Sequence, residues 1–147
     1  MRDVIVDEGV INLPFGEGRH APIAAEDQAR LIATILADPT AHIGRTYTLH
    51  GPTELSQQGI AEAIRGVLGR TITYRPSTIE TYRERLKKYD RTEFLIQHLC
   101  AVALDYQNGI FAGEDKIIAA VTGQRPMTVQ EFVTLHRTAF TAVNAAA

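Results

Sequence analysis

The sequence predicts a mixed α/β fold with α+β character: a small sheet of about four short strands and a largely helical second half. Three observations predict it. Short β-prone stretches at residues 10–15, 46–50 and 71–75 read as strands, bounded by Gly and Pro. Apolar residues at helical spacing recur between and after them. Strand and helix alternate early, and only helices follow Arg75.

The elements follow in order. Val4, Ile5 and Val6 are apolar, and Gly9 interrupts them. Val10-Ile11-Asn12-Leu13-Pro14-Phe15 reads as a strand whose end Pro14 confines to an edge. Gly16-Glu17-Gly18 is a turn, read as that of a hairpin. Ala21-Pro22-Ile23-Ala24 is extended, because Pro22 drives Ala21 from the helical region. A helix starts near Glu26-Asp27, acidic residues that suit its positive N-terminus. Ala29, Ile32, Ala33 and Leu36 form its predicted buried stripe, and Asp38-Pro39 stops it. Thr46-Tyr47-Thr48-Leu49-His50 alternates as a half-buried strand does. Ser56 caps the next helix, Ile60, Ile64, Val67 and Leu68 form its stripe, and Gly69 ends it. Thr71–Arg75 alternates again.

The second half is punctuated by caps. Ser77-Thr78-Ile79-Glu80 has the form of a capping box, before a helix with Ile79, Tyr82, Leu86 and Tyr89 on one face. Thr92 caps the next, with Leu95, Leu99, Val102 and Tyr106 inward, and Asn108-Gly109 ends it. Asp115 opens a short helix that Gly123 closes. Thr128–Glu131 is a second capping box, and its helix is expected to bury Phe132, Leu135, Ala139 and Phe140.

Composition excludes several classes. At 147 residues the chain is one domain by length, 1–147, with residues 143–147 expected to fray. Hydrophobic residues at 45% and charged residues at 22% exclude disordered or collagen-like sequence. A net charge of −2 and a pI of 6.2 give no general attraction to nucleic acid. No apolar run reaches the ~20 residues of a membrane helix. Met1-Arg2-Asp3 does not open a signal peptide. Cys100 is the sole cysteine, so no internal disulfide and no Cys-based zinc site is expected. The expectation is a cytoplasmic protein without membrane or nucleic-acid partners.

Chemistry-bearing motifs are few. Gly16-Glu17-Gly18-Arg19-His20-Ala21 fits the spacing G-x-G-x-x-A of a dinucleotide loop. Such a loop must run from a strand straight into a helix N-terminus. Here Pro22-Ile23-Ala24 intervenes, so the glycines read as a turn. The histidines His20, His42, His50, His98 and His136 lack metal-ligand spacing, and no metal site is predicted. Only His20, in its glycine-rich turn, has a suggestive setting. Ser56 and Ser77 are explained as caps, and Cys100 as a core residue. No tyrosine is followed by lysine four residues on. Arg83, Arg85, Lys87, Lys88 and Arg91 are interleaved with Glu80, Glu84, Asp90 and Glu93, which reads as a solvated helix face. No catalytic, cofactor-binding or metal residue is assigned.

One ordered series of short motifs is more informative. It runs through Ala24–Ala29, the Pro39–Gly44 turn, Tyr47-Thr48-Leu49-His50-Gly51-Pro52, Leu68-Gly69-Arg70 and Ile72-Thr73-Tyr74. It continues through Tyr106 and Gly109 to Val121-Thr122-Gly123-Gln124-Arg125-Pro126 and Thr128–Val133. In order and spacing the series resembles the C-terminal half of NmrA-like proteins, a group of atypical short-chain dehydrogenases/reductases. Quinone-oxidoreductase-like members resemble it most. The resemblance implies a Rossmann-type protein whose first half binds NAD(P) and whose smaller second half shapes the substrate pocket. This chain resembles the second half, so no cofactor is expected on the isolated chain. The resemblance places Leu13, Phe15, His20, Tyr106 and Phe111 at a substrate pocket.

The expected function is therefore that of a substrate-binding portion, without catalysis of its own. It would take a small apolar or quinone-like ligand and self-associate as a homodimer or larger assembly. Two other readings stay open: an NAD(P)H-dependent quinone or carbonyl reductase with a partner-supplied nucleotide site, and a non-enzymatic redox-sensing or regulatory module.

Overall fold

The computed structural model describes residues 2–89 and 91–141; the expected fraying of residues 143–147 lies outside them. The fold is mixed α/β and rich in helix. Helix α1 spans Arg2–Glu8 and strand β1 Val10–Ile11. Strand β2 is Arg19–His20, helix α2 Ala25–Ala37, strand β3 Leu55–Ser56 and helix α3 Gln57–Leu68. After strand β4 at Thr73–Tyr74 come five helices. These are α4 (Ile79–Lys88), α5 (Glu93–Gln107), α6 (Ile117–Thr122), α7 (Val129–Leu135) and α8 (Arg137–Thr141).

The four strands do not form one sheet. β1 pairs with β4 in parallel, Val10 opposite Thr73, and β2 pairs with β3 antiparallel, His20 opposite Leu55. The parallel pair needs a long crossover, which β2, α2, β3 and α3 supply. Its ladder extends past the formal strands, with Ser77 N donating to Leu13 O at 3.2 Å. The Gly16–Gly18 turn is present, but it joins two different sheets and is not a hairpin.

The core lies where α3, α7 and the β1–β4 pair meet. Ile5, Ile11, Leu13, Ala61, Ile64, Leu68, Ile72 and Val133 form it. Ile64 and Leu68 come from the predicted α3 stripe, with Ile60 and Val67 packed beside them. Ser56 Oγ accepts from Gly59 N at 3.1 Å, and Gly69 ends α3 at φ +69°. Both are the expected caps. Thr92 caps α5, and Cys100 is buried in it.

Several expectations are overturned. The α1 segment is a helix that delivers Ile5 to the core, where the sequence showed only a short apolar run. Residues 46–50 form no ladder. Tyr47 and Leu49 still lie more buried than Thr46 and Thr48, and the backbone just after the segment is tied by Gly51 N to Ala21 O at 2.9 Å. Residues 21–24 are likewise extended without a partner strand. The α4 cap is Thr78, accepting from Thr81 N at 3.1 Å, and Ser77 Oγ is buried without a partner. Ser77 is already committed to the β4 ladder through its backbone, so the cap moves on by one residue. Tyr89 is exposed. Leu135 is exposed too, because the helix breaks at His136 and Val133 takes the inward position.

The largest departure is in α2. Ile32 and Leu36 are 56% and 72% exposed, with Ala29 and Ala33 beside them also exposed. The buried residues are Asp27 and Leu31. The helix is turned so that an acidic side chain faces inward and the most regular apolar stripe faces outward.

Candidate functional site

Two glycines bring the site together. Gly16 takes φ +52°, a left-handed conformation that side chains resist, and Gly18 N donates to Phe15 O at 2.9 Å to close the turn. Gly18 lies so close to the Tyr106 carbonyl that a Cβ there would overlap it. The turn thus rests directly on the last turn of α5. Gln107 Nε2 donates to Pro14 O at 2.7 Å and pins the same junction.

This contact assembles the aromatic cluster. Phe15 stacks on Tyr106 at 4.1 Å between ring centroids and 5° between planes. His20 meets the Tyr106 ring edge-on at 5.1 Å, and Phe111 leans on it at 4.7 Å. Residues 15, 20, 106 and 111, far apart in sequence, are therefore in one contact group.

In front of the cluster is a cavity of about 520 Å³. Leu13, Phe15, His20 and Tyr106 belong to its wall. Phe111 does not; it backs Tyr106 from behind. The remaining wall comes mainly from α3, α7 and the segment before α2, through residues such as Ile60, Ile64, Phe132 and Ile23. That size and apolar character suit a small organic ligand.

Three site residues escaped the sequence reading. Gln57 lines the cavity and is 4% exposed. It shares the helical spacing of Ile60 and Ile64, so a polar residue on an apolar stripe was the available signal. Met127 lines the cavity from the α6–α7 connection. Asp27 is fully buried beneath it: Oδ2 accepts from Met127 N at 2.7 Å, and Oδ1 from Arg30 at 2.7 Å. An acidic residue in the first turn of a helix looks like a dipole partner, and nothing local showed that it turns inward.

Electrostatics in the cavity favour neutral groups. Burial lowers the pKa of His20 below 6.5 and raises that of Tyr106 above 10. His20 Nδ1 is sealed from solvent and has no hydrogen-bond partner. The charged residues lie outside. Arg19 donates to Glu54 at 2.8 Å, and Glu54 also accepts from Gly113 N at 2.6 Å. Its carboxyl is held below its ordinary range first by Arg19, then by Gly113. His50 joins the same loop through Asp115, Nδ1 to Oδ2 at 2.6 Å. These ties hold the 50–54 segment to Arg19 of β2 on one side and to the 113–115 loop on the other.

The motif that matched dinucleotide spacing does not fit a pyrophosphate. Arg19 and His20 are in a strand pair, and the helix that follows begins only at Ala25. The glycines therefore do not lead into the N-terminus of that helix, as a phosphate loop requires. Among the described residues there is no group of three metal-ligating side chains, and no helix long and apolar enough to cross a membrane.

No family model and no curated protein matches the sequence. Solved structures do match the fold. A nucleoside-diphosphate-sugar epimerase from Staphylococcus aureus superposes with a TM-score of 0.78 at 23% identity, over 90% of this chain and 46% of its own. An NADPH-dependent quinone oxidoreductase from Escherichia coli gives 0.81 at 20% identity, over 92% and 49%; it has also been solved with NADPH. A triphenylmethane reductase from Citrobacter sp., in complex with NADP(H), gives 0.77 at 18% identity, over 91% and 47%. This chain spans about half the length of each. The likeness to these proteins is one of fold, and it covers roughly half of each of their chains.

Proposed function

We propose that this chain is the substrate-binding portion of an NmrA-like protein and holds a flat, largely apolar ring compound of quinone type. The observation that carries the reading is the cavity of about 520 Å³ with the stacked Phe15–Tyr106 pair in its wall and His20 against it. Flat aromatic walls favour flat ligands through offset or edge contacts. Catalysis does not belong to the isolated chain in this reading, because its glycine-rich turn supports a strand pair and does not cradle phosphate.

Titration calorimetry with menadione as the probe tests the proposal. Saturable binding is expected, weakened at least tenfold by Tyr106→Ala, with no NADPH oxidation at 340 nm by the chain alone. Absence of saturable binding, or equal affinity of the Tyr106→Ala protein with its fold intact by circular dichroism, overturns it. Steady NADPH oxidation would favour the rival reading, a reductase in its own right.

A further inference from the structure

The cavity wall is apolar with few exceptions: His20, Gln57, Tyr106 and Thr128. His20 and Gln57 both line it. Neither side chain makes a hydrogen bond among the described residues, although Gln57 is almost wholly buried. Of their atoms only His20 Nδ1 is both sealed and unpartnered, so His20 Nε2 and the Gln57 amide are left open to a partner inside the cavity. The fold brings both to one wall. His20 is paired with Leu55 in the β2–β3 ladder, and Gln57 is two residues beyond Leu55, at the first turn of α3. By contrast, Thr128 is a polar wall residue already engaged, since its hydroxyl caps α7.

We propose that His20 and Gln57 are the specificity-determining pair of this cavity, donating hydrogen bonds from His20 Nε2 and the Gln57 amide to carbonyl oxygens of a flat ring ligand. The inference rests on the ligand reading above and adds the groups that select within it. The atom assignment follows from burial. His20 Nδ1 is sealed away without a partner, which leaves Nε2 as the nitrogen the ring can offer. Burial also favours the neutral imidazole, whose one proton then sits on Nε2, since an orphaned N–H costs more than a bare lone pair. Gln57 carries two amide protons and none is committed. A ring hydrocarbon of the same shape would fill the cavity and leave both donors unmet. A ring dione would satisfy them.

The test compares 1,4-naphthoquinone with naphthalene by calorimetry on the full chain. The variants are His20→Phe, His20→Gln, Gln57→Leu and Gln57→Met, each checked for folding by circular dichroism. Intact mass confirms that binding is non-covalent. The wild type is expected to bind the dione at least tenfold more tightly than the hydrocarbon. Each apolar variant should weaken dione binding by about 5- to 30-fold, the range for one lost hydrogen bond, and leave naphthalene within twofold. His20→Gln should retain part of the preference. If both compounds bind the wild type equally, or the folded variants keep the full preference, this inference is wrong and the ring-binding cavity stands. If neither compound binds, the cavity reading itself fails.

Discussion

His20 shows how one side chain couples stability to the candidate site. Its folded-state pKa lies below 6.5 because burial penalises the imidazolium. The unfolded chain therefore takes up this proton first as pH falls. Stability is fully present above about 6.5 and declines below it, until the folded-state pKa is reached. Urea melts at pH 7.5 and 5.5 check this: His20→Phe should lose less stability across that interval than the wild type. An equal loss would mean that the ring is not held neutral by the fold. Gly18 gives a second prediction. Gly18→Ala puts a methyl group into the Tyr106 carbonyl, so the turn must lift off α5. A loss of about 1–3 kcal/mol is expected, together with a weakened grip on any ring ligand, because Phe15 and His20 move with the turn. Of the two glycines of the motif, Gly18 is thus explained by close packing and Gly16 by its left-handed backbone. Their spacing was legible in the sequence. What they approach was not, since Tyr106 lies 88 residues further along the chain.

Helices were legible where local chemistry sets them and illegible where burial decides. The caps at Ser56, Thr92 and Thr128 need only short-range geometry, and all three hold. At Ser77 the β4 ladder competes for the backbone, and the cap shifts to Thr78. The orientation of α2 needs its tertiary partners. Asp27 is drawn inward by Met127 N and Arg30, so Ile32 and Leu36 are turned outward in spite of their spacing. Asp27→Ala should therefore cost about 2–3 kcal/mol in chemical denaturation, since it removes hydrogen bonds to a buried carboxylate and leaves Arg30 only its longer bond to Arg125 O. Because Met127 lines the cavity, the same variant should also weaken ligand binding. The α7 capping box adds a pH-dependent element. Arg125, then Thr128, hold the Glu131 carboxyl down at about 2. Its contribution is present above 4.5, the ordinary carboxyl value, and is lost as pH falls from there towards 2. Glu131→Gln should flatten the acid limb of the stability curve over that window. An unchanged limb would show that the Arg125–Glu131 pair is not formed in solution.

At the scale of the whole molecule, the open question is what covers α2. Ala29, Ile32, Ala33 and Leu36 present a continuous apolar stripe to solvent, and Ile43 is 78% exposed just beyond the helix. Isolated exposed apolar residues are ordinary, but a stripe at helical spacing is a contact surface. The solved proteins of this fold have chains about twice as long. For this chain taken by itself, we propose that a second copy covers the stripe. A two-fold arrangement suits it, since the same stripe then contributes to both sides. Light scattering coupled to size exclusion should give a mass near twice 16.2 kDa at tens of micromolar, falling towards the monomer on dilution. Leu36→Glu should shift the chain to monomer at all concentrations without lowering its stability, because the side chain is 72% exposed. Ile110→Glu is the control: Ile110 is exposed in the loop after α5, outside the α2 stripe, and should leave the mass unchanged. A wild-type chain that stays monomeric across the whole range defeats the self-association proposal. A dimer that survives Leu36→Glu would place its interface elsewhere and leave the α2 stripe without an assigned role.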